Sequence, residues 1–351
     1  MLTGRRSRLT AMVLIAVGVI APALGPALAD GAAVAVHPVG QSSAEVRDYW
    51  TPERMREAQP LELPSADGAT AAGRAKSSAA PPDQEIPPDL DTTYPYRIHG
   101  RLFLRFAGND ASCSATVVTS RARNLILTAG HCLAQAQGGG HTLWSTDLLF
   151  VPAYRNGAQP FGNYPGISAG APAAWSIEGD VAFDAGVVNL APGAGGEIQD
   201  QLGSRGIGFN RPAKTFRGKS FQIFGYPAEP TSFYNGERPI LCDSGFQGIE
   251  RFSGALVAAP CNQQQGASGG GWVLGGSIVT SLTSHAGCPN PAGCSVIAGT
   301  YLGQAVFKLW SSAGGGLPAG RKKQIRHCKH LQGRKHDRCL TRAETFQPVV
   351  L

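Results

Sequence analysis

The sequence is poor in charged residues, in methionine and in long apolar runs. Charged side chains make up 16% of the 351 residues, and methionine occurs only 3 times, whereas about 25% charge is usual for a soluble domain. These shortages exclude a coiled coil, a helical bundle and a highly charged disordered chain. Glycine is abundant instead, with 46 residues, and proline contributes 25. This composition favours a turn-rich, largely β globular body that is long enough to bury a core.

Beyond the amino terminus, the sequence has no unbroken apolar run of the roughly 20 residues that a membrane-spanning helix needs. The apolar stretch from Leu9 to Ile20 follows three arginines and is soon interrupted by Pro22. Ala27-Leu28-Ala29 then supplies small residues at a cleavage position. Residues 1–29 are therefore predicted to be a signal peptide that is removed before Asp30. We expect a secreted, extracellular protein with no membrane span.

The formal net charge of +7 is concentrated at the carboxyl terminus. Nine basic and two acidic residues follow Gly320, whereas the body from Asp30 to Pro318 sums to −3. Residues 313–351 are predicted to form a glycine-rich linker and a basic tail. The tail is either a solvated appendage or an adhesive segment for an anionic cell-surface polymer. Aromatic residues do not interleave with its basic residues, so no specific nucleic-acid binding is expected.

The 8 cysteines fit an oxidising compartment. Their spacing alone does not determine which of them pair. Local closeness in the sequence suggests four disulfides: Cys113–Cys132, Cys242–Cys261, Cys288–Cys294 and Cys328–Cys339. No Cys-x-x-Cys motif occurs, and the patch of Cys and His around Cys328 is crowded with Lys and Arg, which would repel a cation. We expect no metal site and no cofactor.

The rest of the chain consists of two parts that differ in composition and in hydrophobic pattern. Residues 30–93 are rich in Ala, Pro, Ser and acidic residues, without a sustained period, and are predicted to be a propeptide or a disordered linker. One helix is possible between Ser43 and Ala58. From Arg101 onward, short apolar or alternating runs are separated by Gly, Pro, Asn or Asp. This pattern predicts an all-β barrel or sandwich.

Three short patterns carry residues suited to acyl transfer. Thr128-Ala129-Gly130-His131-Cys132 places a histidine in a turn after an apolar strand, and Asp184 leads directly into another apolar strand. Gly266-Ala267-Ser268-Gly269-Gly270 places a serine on a glycine-rich turn. A serine hydroxyl becomes a nucleophile when a neighbouring base takes its proton. We therefore predict Ser268 as the nucleophile, His131 as the base and Asp184 as the acid that orients the imidazole.

The glycines around Ser268 leave its backbone amides unobstructed. The N–H groups of Gly266 and Ser268 are therefore predicted to form an oxyanion hole. Asp180 is an alternative acid, but the strand pattern continues without interruption only after Asp184. Three further histidines lack such a context and are expected to be surface or loop residues: His99, His141 and His285.

Together these motifs resemble the chymotrypsin-like serine peptidases, in their order His, Asp, Ser. Phe224-Gly225-Tyr226-Pro227 adds a resemblance to secreted bacterial members similar to glutamyl endopeptidases. The resemblance covers a domain of residues 94–312. It implies two packed six-stranded antiparallel β-barrels with the active site in the cleft between them. The first barrel would supply His131 and Asp184, and the second Ser268. It also implies peptide or protein substrates and an acyl-enzyme intermediate. We expect a monomer.

Two positions depart from the pattern of this family. Ala267 stands where trypsin-type zymogens carry an Asp that accepts the new amino terminus, so activation through that ion pair is not expected. Asn262 resembles the floor of the specificity pocket. An uncharged floor argues against a strong preference for Lys or Arg.

The strand after the serine also lacks the histidine of the glutamyl branch, since His285 comes too late. We predict a pocket lined by Asn262, Thr280 and Ser281 that accepts small or uncharged side chains.

Two other functions fit part of the pattern. A catalytically silent peptidase-like module could bind through the basic tail, but adhesion requires none of His131, Asp184 and Ser268. An esterase more often places its serine in a Gly-x-Ser-x-Gly elbow with the acid and the histidine after it, whereas both precede Ser268 here. A secreted serine endopeptidase is the prediction, and the silent binding module is the alternative.

Overall fold

The computed structural model describes Met1 and residues 33–61, 83–286 and 296–316. The strands are β1 (Val34–Pro38), β2 (Gln59–Pro60), β3 (Gln84–Glu85), β4 (His99–Phe106), β5 (Asn109–Val117), β6 (Leu125–Thr128), β7 (Ala134–Gly138), β8 (His141–Trp144), β9 (Thr146–Pro152), β10 (Tyr164–Pro172), β11 (Gly186–Leu190), β12 (Gly206–Ile207), β13 (Ser220–Gly225), β14 (Ile240–Ile249), β15 (Leu256–Ala259), β16 (Gly271–Leu274), β17 (Ile278–Ala286) and β18 (Ile297–Tyr301). The α-helices are α1 (Ser43–Tyr49), α2 (Pro52–Glu57), α3 (Ala173–Ser176), α4 (Ile198–Leu202) and α5 (Gln304–Ser312).

Six strands close the first barrel in the order β10, β11, β6, β5, β4 and β9, because β9 and β10 also pair with each other. All of these pairings are antiparallel. The strands are short and rich in Val, Leu and Ile, and their inward side chains form a continuous core with α5. One pairing matters for the site: Thr128 at the end of β6 lies opposite Gly186 at the start of β11.

The second barrel has the same design. Its strands follow the order β17, β16, β13, β14, β15 and β18, and the pairing of β17 with β18 closes it. These pairings are also antiparallel, and Phe221 and Trp272 are fully buried in its interior. The predicted fold of two six-stranded antiparallel barrels is confirmed.

Residues 33–61 pack on the first barrel. β1 pairs antiparallel with β10 along its whole length. A capping box between Ser42 and Glu45 starts α1, and Thr51 caps a second helix at Pro52, so two helices replace the single one expected. The two helices and the turn between them bury Val46, Trp50 and Met55 against the barrel. A disordered linker is therefore wrong for this segment, because its apolar residues have a surface to cover.

The start of the next described segment packs on the second barrel. β3 pairs with β14, and Ile86 is buried. Glu85 forms ion pairs with Arg155 and Arg238, and Asp91 with Arg155 at 2.5 Å. The described parts of residues 30–93 are thus bound to both barrels. Their role as a propeptide stays a prediction.

One of the four predicted disulfides forms in the described chain, the one between Cys113 and Cys132. Cys242 and Cys261 are buried but unbonded, so that predicted bond is absent. Their sulfur atoms nevertheless lie within 4.8 Å of each other and of an Asp83 carboxylate oxygen, and Cys242 Sγ lies 3.1 Å from the Pro260 carbonyl. The predicted pairs Cys288–Cys294 and Cys328–Cys339 lie outside the described residues.

The predicted signal peptide after Met1 and the basic tail also lie outside the described residues. Among the helices that are described, none has the length and apolar character needed to cross a membrane.

Candidate active site

His131 lies in the turn that connects β6 to β7, at the end of the first barrel. The disulfide between Cys113 on β5 and the adjacent Cys132 anchors this turn. The Trp175 ring packs edge-on at 6.4 Å from the imidazole, and its Nε1 donates to the carbonyl of Ala134 at 2.8 Å. The disulfide and Trp175 therefore fix the turn that carries His131, and the His131 side chain is buried.

Asp184 reaches His131 because β6 and β11 are antiparallel partners. The strand pairing of Thr128 with Gly186 brings the residues just after β6 beside those just before β11. Asp184 Oδ2 lies 2.9 Å from His131 Nδ1, and Oδ1 accepts the His131 backbone N–H at 2.8 Å. Ser284 on β17 donates its hydroxyl to Oδ2 at 2.5 Å.

The environment keeps the carboxyl of Asp184 ionised. Complete burial alone would raise its pKa, but the charge and hydrogen bonds of His131 and the hydroxyl of Ser284 outweigh burial and lower the pKa below 3.8. An ionised carboxylate accepts from Nδ1–H, which leaves Nε2 as the nitrogen with a free lone pair.

Asp180, the alternative acid, is exposed and does not contact the imidazole. Its carboxylate instead accepts from the backbone N–H of Ala182 at 3.0 Å and caps the 3-10 turn Val181–Phe183. The structure thus brings Asp184 to His131 and leaves Asp180 at the surface.

Ser268 belongs to the second barrel, but the first barrel holds its loop. The carbonyl of Ser268 accepts the backbone N–H of Ser114 on β5 at 2.7 Å, and the Sγ of Cys132 lies 3.9 Å from the same carbonyl. The hydroxyl of Ser114 bridges Tyr226 and Gly266 across the barrel boundary, accepting from N–H of the first and donating to C=O of the second, both at 2.8 Å. These bonds bring the serine loop to the turn that carries His131.

The backbone at Gly266 accommodates only glycine, for two reasons. Its φ is +90°, a left-handed conformation, and a Cβ there would lie 2.5 Å from the carbonyl oxygen of Tyr226. In the part of the chain that the structure describes, the amides of Gly266 and Ser268 have no hydrogen-bond acceptor. They remain available to a substrate oxygen.

Nε2 of His131 is buried, and no described residue hydrogen-bonds to it, the hydroxyl of Ser268 included. Buried ring nitrogens are ordinarily paired. Nε2 of His99 is likewise buried without a partner among the described residues, so the bond to the buried Asp184 carboxylate is what distinguishes His131. A lone pair here can accept the proton of an incoming hydroxyl, and the Asp184 carboxylate would stabilise the resulting imidazolium.

Two of the three predicted pocket residues, Thr280 and Ser281, are buried on β17. Thr280 packs on Gly208, and Ser281 is wholly buried with its hydroxyl donated to the carbonyl of Thr300 at 2.8 Å. These side chains belong to the barrel interior, so their assignment to the pocket is wrong. The physical reason is register, since the serine loop meets β17 at Thr283, whose backbone N–H and C=O bond to Gly270 and Gly269. Asn262 is half-buried.

Sequence reasoning missed Ser114, Ser284 and His285. His285, expected on the surface or in a loop, is mostly buried on β17 beside Ser284, and His99 is buried in β4 against the Phe224 ring. His141 is exposed as expected. A lone serine in a strand has no sequence signal, because its importance comes from partners that are distant along the chain.

Solved structures provide the comparison with known proteins. Anisep, a protease from Arthrobacter nicotinovorans, is 28% identical over 67% of this chain and 100% of its own, with a TM-score of 0.56. The thermostable serine protease AL20 from an extremophilic microorganism is 29% identical over 62% of this chain and 97% of its own, with a TM-score of 0.55.

A Glu endopeptidase, 18% identical over 68% of this chain and 99% of its own, shares the fold at a TM-score of 0.52. The chain has the chymotrypsin-like serine protease fold. No protein-family model and no curated protein sequence matches it. In this serine protease fold, the candidate residues lie where the two barrels meet.

Proposed function

We propose that this protein is a secreted serine endopeptidase that uses Ser268, His131 and Asp184. One observation carries the proposal: His131 is bonded through Nδ1 to a buried aspartate, and its buried Nε2 has no partner among the described residues. Neither adhesion nor core packing requires such an arrangement.

The reaction begins when Ser268 Oγ attacks the carbonyl carbon of a peptide bond and Nε2 of His131 takes the hydroxyl proton. The tetrahedral intermediate collapses as His131 returns that proton to the leaving amine, which leaves an acyl ester on Ser268. Water then attacks the ester by the same proton route and releases the acid. The catalytic hydrogen bond, here from Ser268 Oγ to His131 Nε2, is often long in a free enzyme and tightens when substrate is bound.

The two unpaired amides complete the site. N–H groups of Gly266 and Ser268 would donate to the oxygen that becomes negative in the tetrahedral intermediate. Each such donor accounts for about 3–4 kcal/mol of transition-state stabilisation in related chemistry. The bonds from Ser114 to this loop hold the donors in place before the reaction starts.

The uncharged residue Asn262 favours a small or uncharged side chain before the cleaved bond. The absence of an acid at position 267 excludes activation through an ion pair at that position, and Ala267 is fully buried. We further propose that the signal peptide directs export, and that the tail after Gly320 adheres to an anionic polymer. Salt-sensitive co-sedimentation with such a polymer, lost in a chain ending at Pro318, tests the tail.

Digestion of a proteome-derived peptide library tests the activity. The secreted protein, purified from culture medium, is incubated with the library, and new peptide ends are read by mass spectrometry. We expect endoproteolytic cleavage with a consistent residue before the cut, and none with the Ser268→Ala variant. The amino-terminal sequence of the same preparation reports export and maturation.

A folded wild-type protein that cleaves nothing would overturn the proposal in favour of the binding module. Cleavage that survives in Ser268→Ala would show that the nucleophile is misassigned or that another protease contaminates the preparation. Equal far-ultraviolet circular dichroism of the two proteins controls for folding.

A further inference from the structure

Three side chains of types that bind metal ions meet in the second barrel, outside the proposed triad. Cys242 lies on β14, Cys261 follows β15, and Asp83 directly precedes β3. Their two sulfur atoms and a carboxylate oxygen all lie within 4.8 Å of one another. Both cysteines are buried, and neither is in a disulfide. The fold thus brings together three potential ligands that are far apart in the sequence.

Strand pairing explains why these residues meet. β3 pairs antiparallel with β14, with Gln84 opposite Leu241, so one further step in the same register places Asp83 opposite Cys242. β15 pairs with the other edge of β14, and Cys242 Sγ lies 3.1 Å from the carbonyl of Pro260, the residue before Cys261. The regular structure of the barrel therefore fixes the backbones of all three residues.

The carboxylate of Asp83 is also fixed in orientation. Its Oδ1 accepts the backbone N–H of Asn262 at 3.1 Å, and its Oδ2 accepts the hydroxyl of Tyr234 at 2.9 Å. Outer partners of this kind orient the ligands of metal sites. Oδ2 also lies 3.9 Å from Cys261 Sγ. Sulfur and oxygen ligands of a tetrahedral zinc ion are about 3.6 Å apart, given their usual bond lengths, so an ion fits here with little movement.

The charge of Asp83 needs a partner. Asp83 is partly buried, and among the described residues no Lys, Arg or His forms an ion pair with it. Its two acidic neighbours in the same segment, Glu85 and Asp91, are both paired with Arg155. Acidic groups removed from water are ordinarily paired or bound to a metal. A carboxylate beside two thiols contributes nothing to a disulfide, but it completes a set of metal ligands.

We propose that Cys242, Cys261 and Asp83 bind a thiophilic divalent cation, with zinc as the ion that suits them best. Thiolate ligands select zinc over calcium and magnesium, which take oxygen ligands. Three protein ligands leave a fourth position of the tetrahedron for water. As the ion binds, each thiol releases its proton to solvent, and no electron is transferred.

Such a site would connect two parts of the molecule. It would hold the segment that begins at Asp83 on the second barrel and, through the backbone of Asn262, would support the loop that leads to Ser268. The inference goes beyond the proposed function and does not depend on it, because the ligands and their test involve no catalytic step.

Cobalt binding to the full chain tests the site without any need for activity. The protein carries Ser268→Ala so that it cannot digest itself, and it is purified from culture medium and freed of metal. Bonds from Co²⁺ to thiolate sulfur produce an intense near-ultraviolet absorption. We expect this absorption to saturate at one ion per chain and to disappear when Zn²⁺ is added. Peptide mapping without reduction should find Cys242 and Cys261 as thiols.

Substitutions assign the ligands. Cys242→Ser should abolish the thiolate absorption of this site, and Asp83→Asn should raise the Kd for Co²⁺ at least about tenfold. Tyr234→Phe keeps all three ligands but removes the donor to Asp83, and should raise the Kd roughly tenfold. Glu85→Gln is the matched control. It changes the same segment without touching the three ligands, and the Kd should stay within about twofold of the unsubstituted value.

A disulfide between Cys242 and Cys261 in the secreted protein, or the lack of any thiolate absorption, would overturn the proposal. Absorption that persists in Cys242→Ser would place the ion elsewhere in the chain and would also overturn it. Equal weakening in Glu85→Gln and Asp83→Asn would refute Asp83 as a ligand. If Cys242→Ser unfolds, Asp83→Asn and Tyr234→Phe still decide. If the ion binds as expected but the active protein cleaves no peptide, the proposed function fails and the metal site stands.

Discussion

Ser114 donates its backbone N–H to the carbonyl of Ser268 at 2.7 Å, across the boundary between the two barrels. Ser114 adjoins Cys113, which is disulfide-bonded to the neighbour of His131. The proposed nucleophile and base are therefore positioned by the same strand, although they lie far apart in the sequence. A protein that relied on either barrel alone could not align them.

Ser114→Ala should destabilise the serine loop. The substitution leaves the N–H of Tyr226 and the C=O of Gly266 buried without their shared partner, which costs about 1–3 kcal/mol in the free energy of unfolding. Denaturant unfolding measures the loss, and kcat should fall with KM little changed. Ser312→Ala, whose hydroxyl bonds only within α5, should cost far less. Equal losses in the two variants would contradict the role given to Ser114.

Gly266→Ala should abolish most activity. The alanine would need a left-handed φ and would press its Cβ against the carbonyl of Tyr226 at 2.5 Å, so the loop must move and the oxyanion donors with it. Gly275→Ala is the matched control, because its φ is +59° but its Cβ would meet nothing within 4 Å. The control should lose about 1–2 kcal/mol of stability from conformation alone and keep its kcat. Retained activity in Gly266→Ala would argue against this loop as the oxyanion site.

Asp184→Asn should lower kcat by roughly a thousandfold to ten-thousandfold, because an amide does not stabilise the imidazolium and can select the wrong tautomer of His131. Asp180→Asn, at the exposed cap, should retain nearly full activity. Steady-state kinetics on a peptide found in the library digestion provides the measurement. The reverse ranking of the two variants would make Asp180 the acid.

Trp50→Ala tests whether residues 33–61 are part of the folded body. Trp50 is 3% exposed, donates Nε1–H to the carbonyl of Asp147 at 2.5 Å and packs on Phe103. Its removal should lower the free energy of unfolding by about 3–5 kcal/mol. Arg56→Ala, with half its side chain exposed on the next helix, is the control and should cost less than about 0.5 kcal/mol. No effect of Trp50→Ala would restore the interpretation of this segment as a spacer.

The fold, and the contact between His131 and Asp184, could be predicted from the sequence because those signals are local. Short apolar runs between turn residues predict strands, and a histidine or serine in a distinctive turn is recognised from its neighbours. Even Asp184 could be preferred over Asp180 from the strand that follows it.

Features set by distant partners could not be predicted in this way. Thr280 and Ser281 were placed in the pocket because nothing in the sequence indicates where β17 meets the serine loop. Residues 33–61 have little periodicity, yet they fold because the outer surface of the first barrel offers them apolar contacts. The same limit applies to His285, whose partner Glu250 follows β14 on another part of the second barrel.

Labelling with a fluorophosphonate tests the central claim most directly. This reagent forms a stable phosphonyl ester with a serine hydroxyl that a neighbouring base has activated, and peptide mass spectrometry locates the adduct. The account predicts one adduct, on Ser268, with a labelling rate at least about a thousandfold lower in His131→Ala. A folded wild-type protein that acquires no adduct, or acquires it on another residue, would contradict the account.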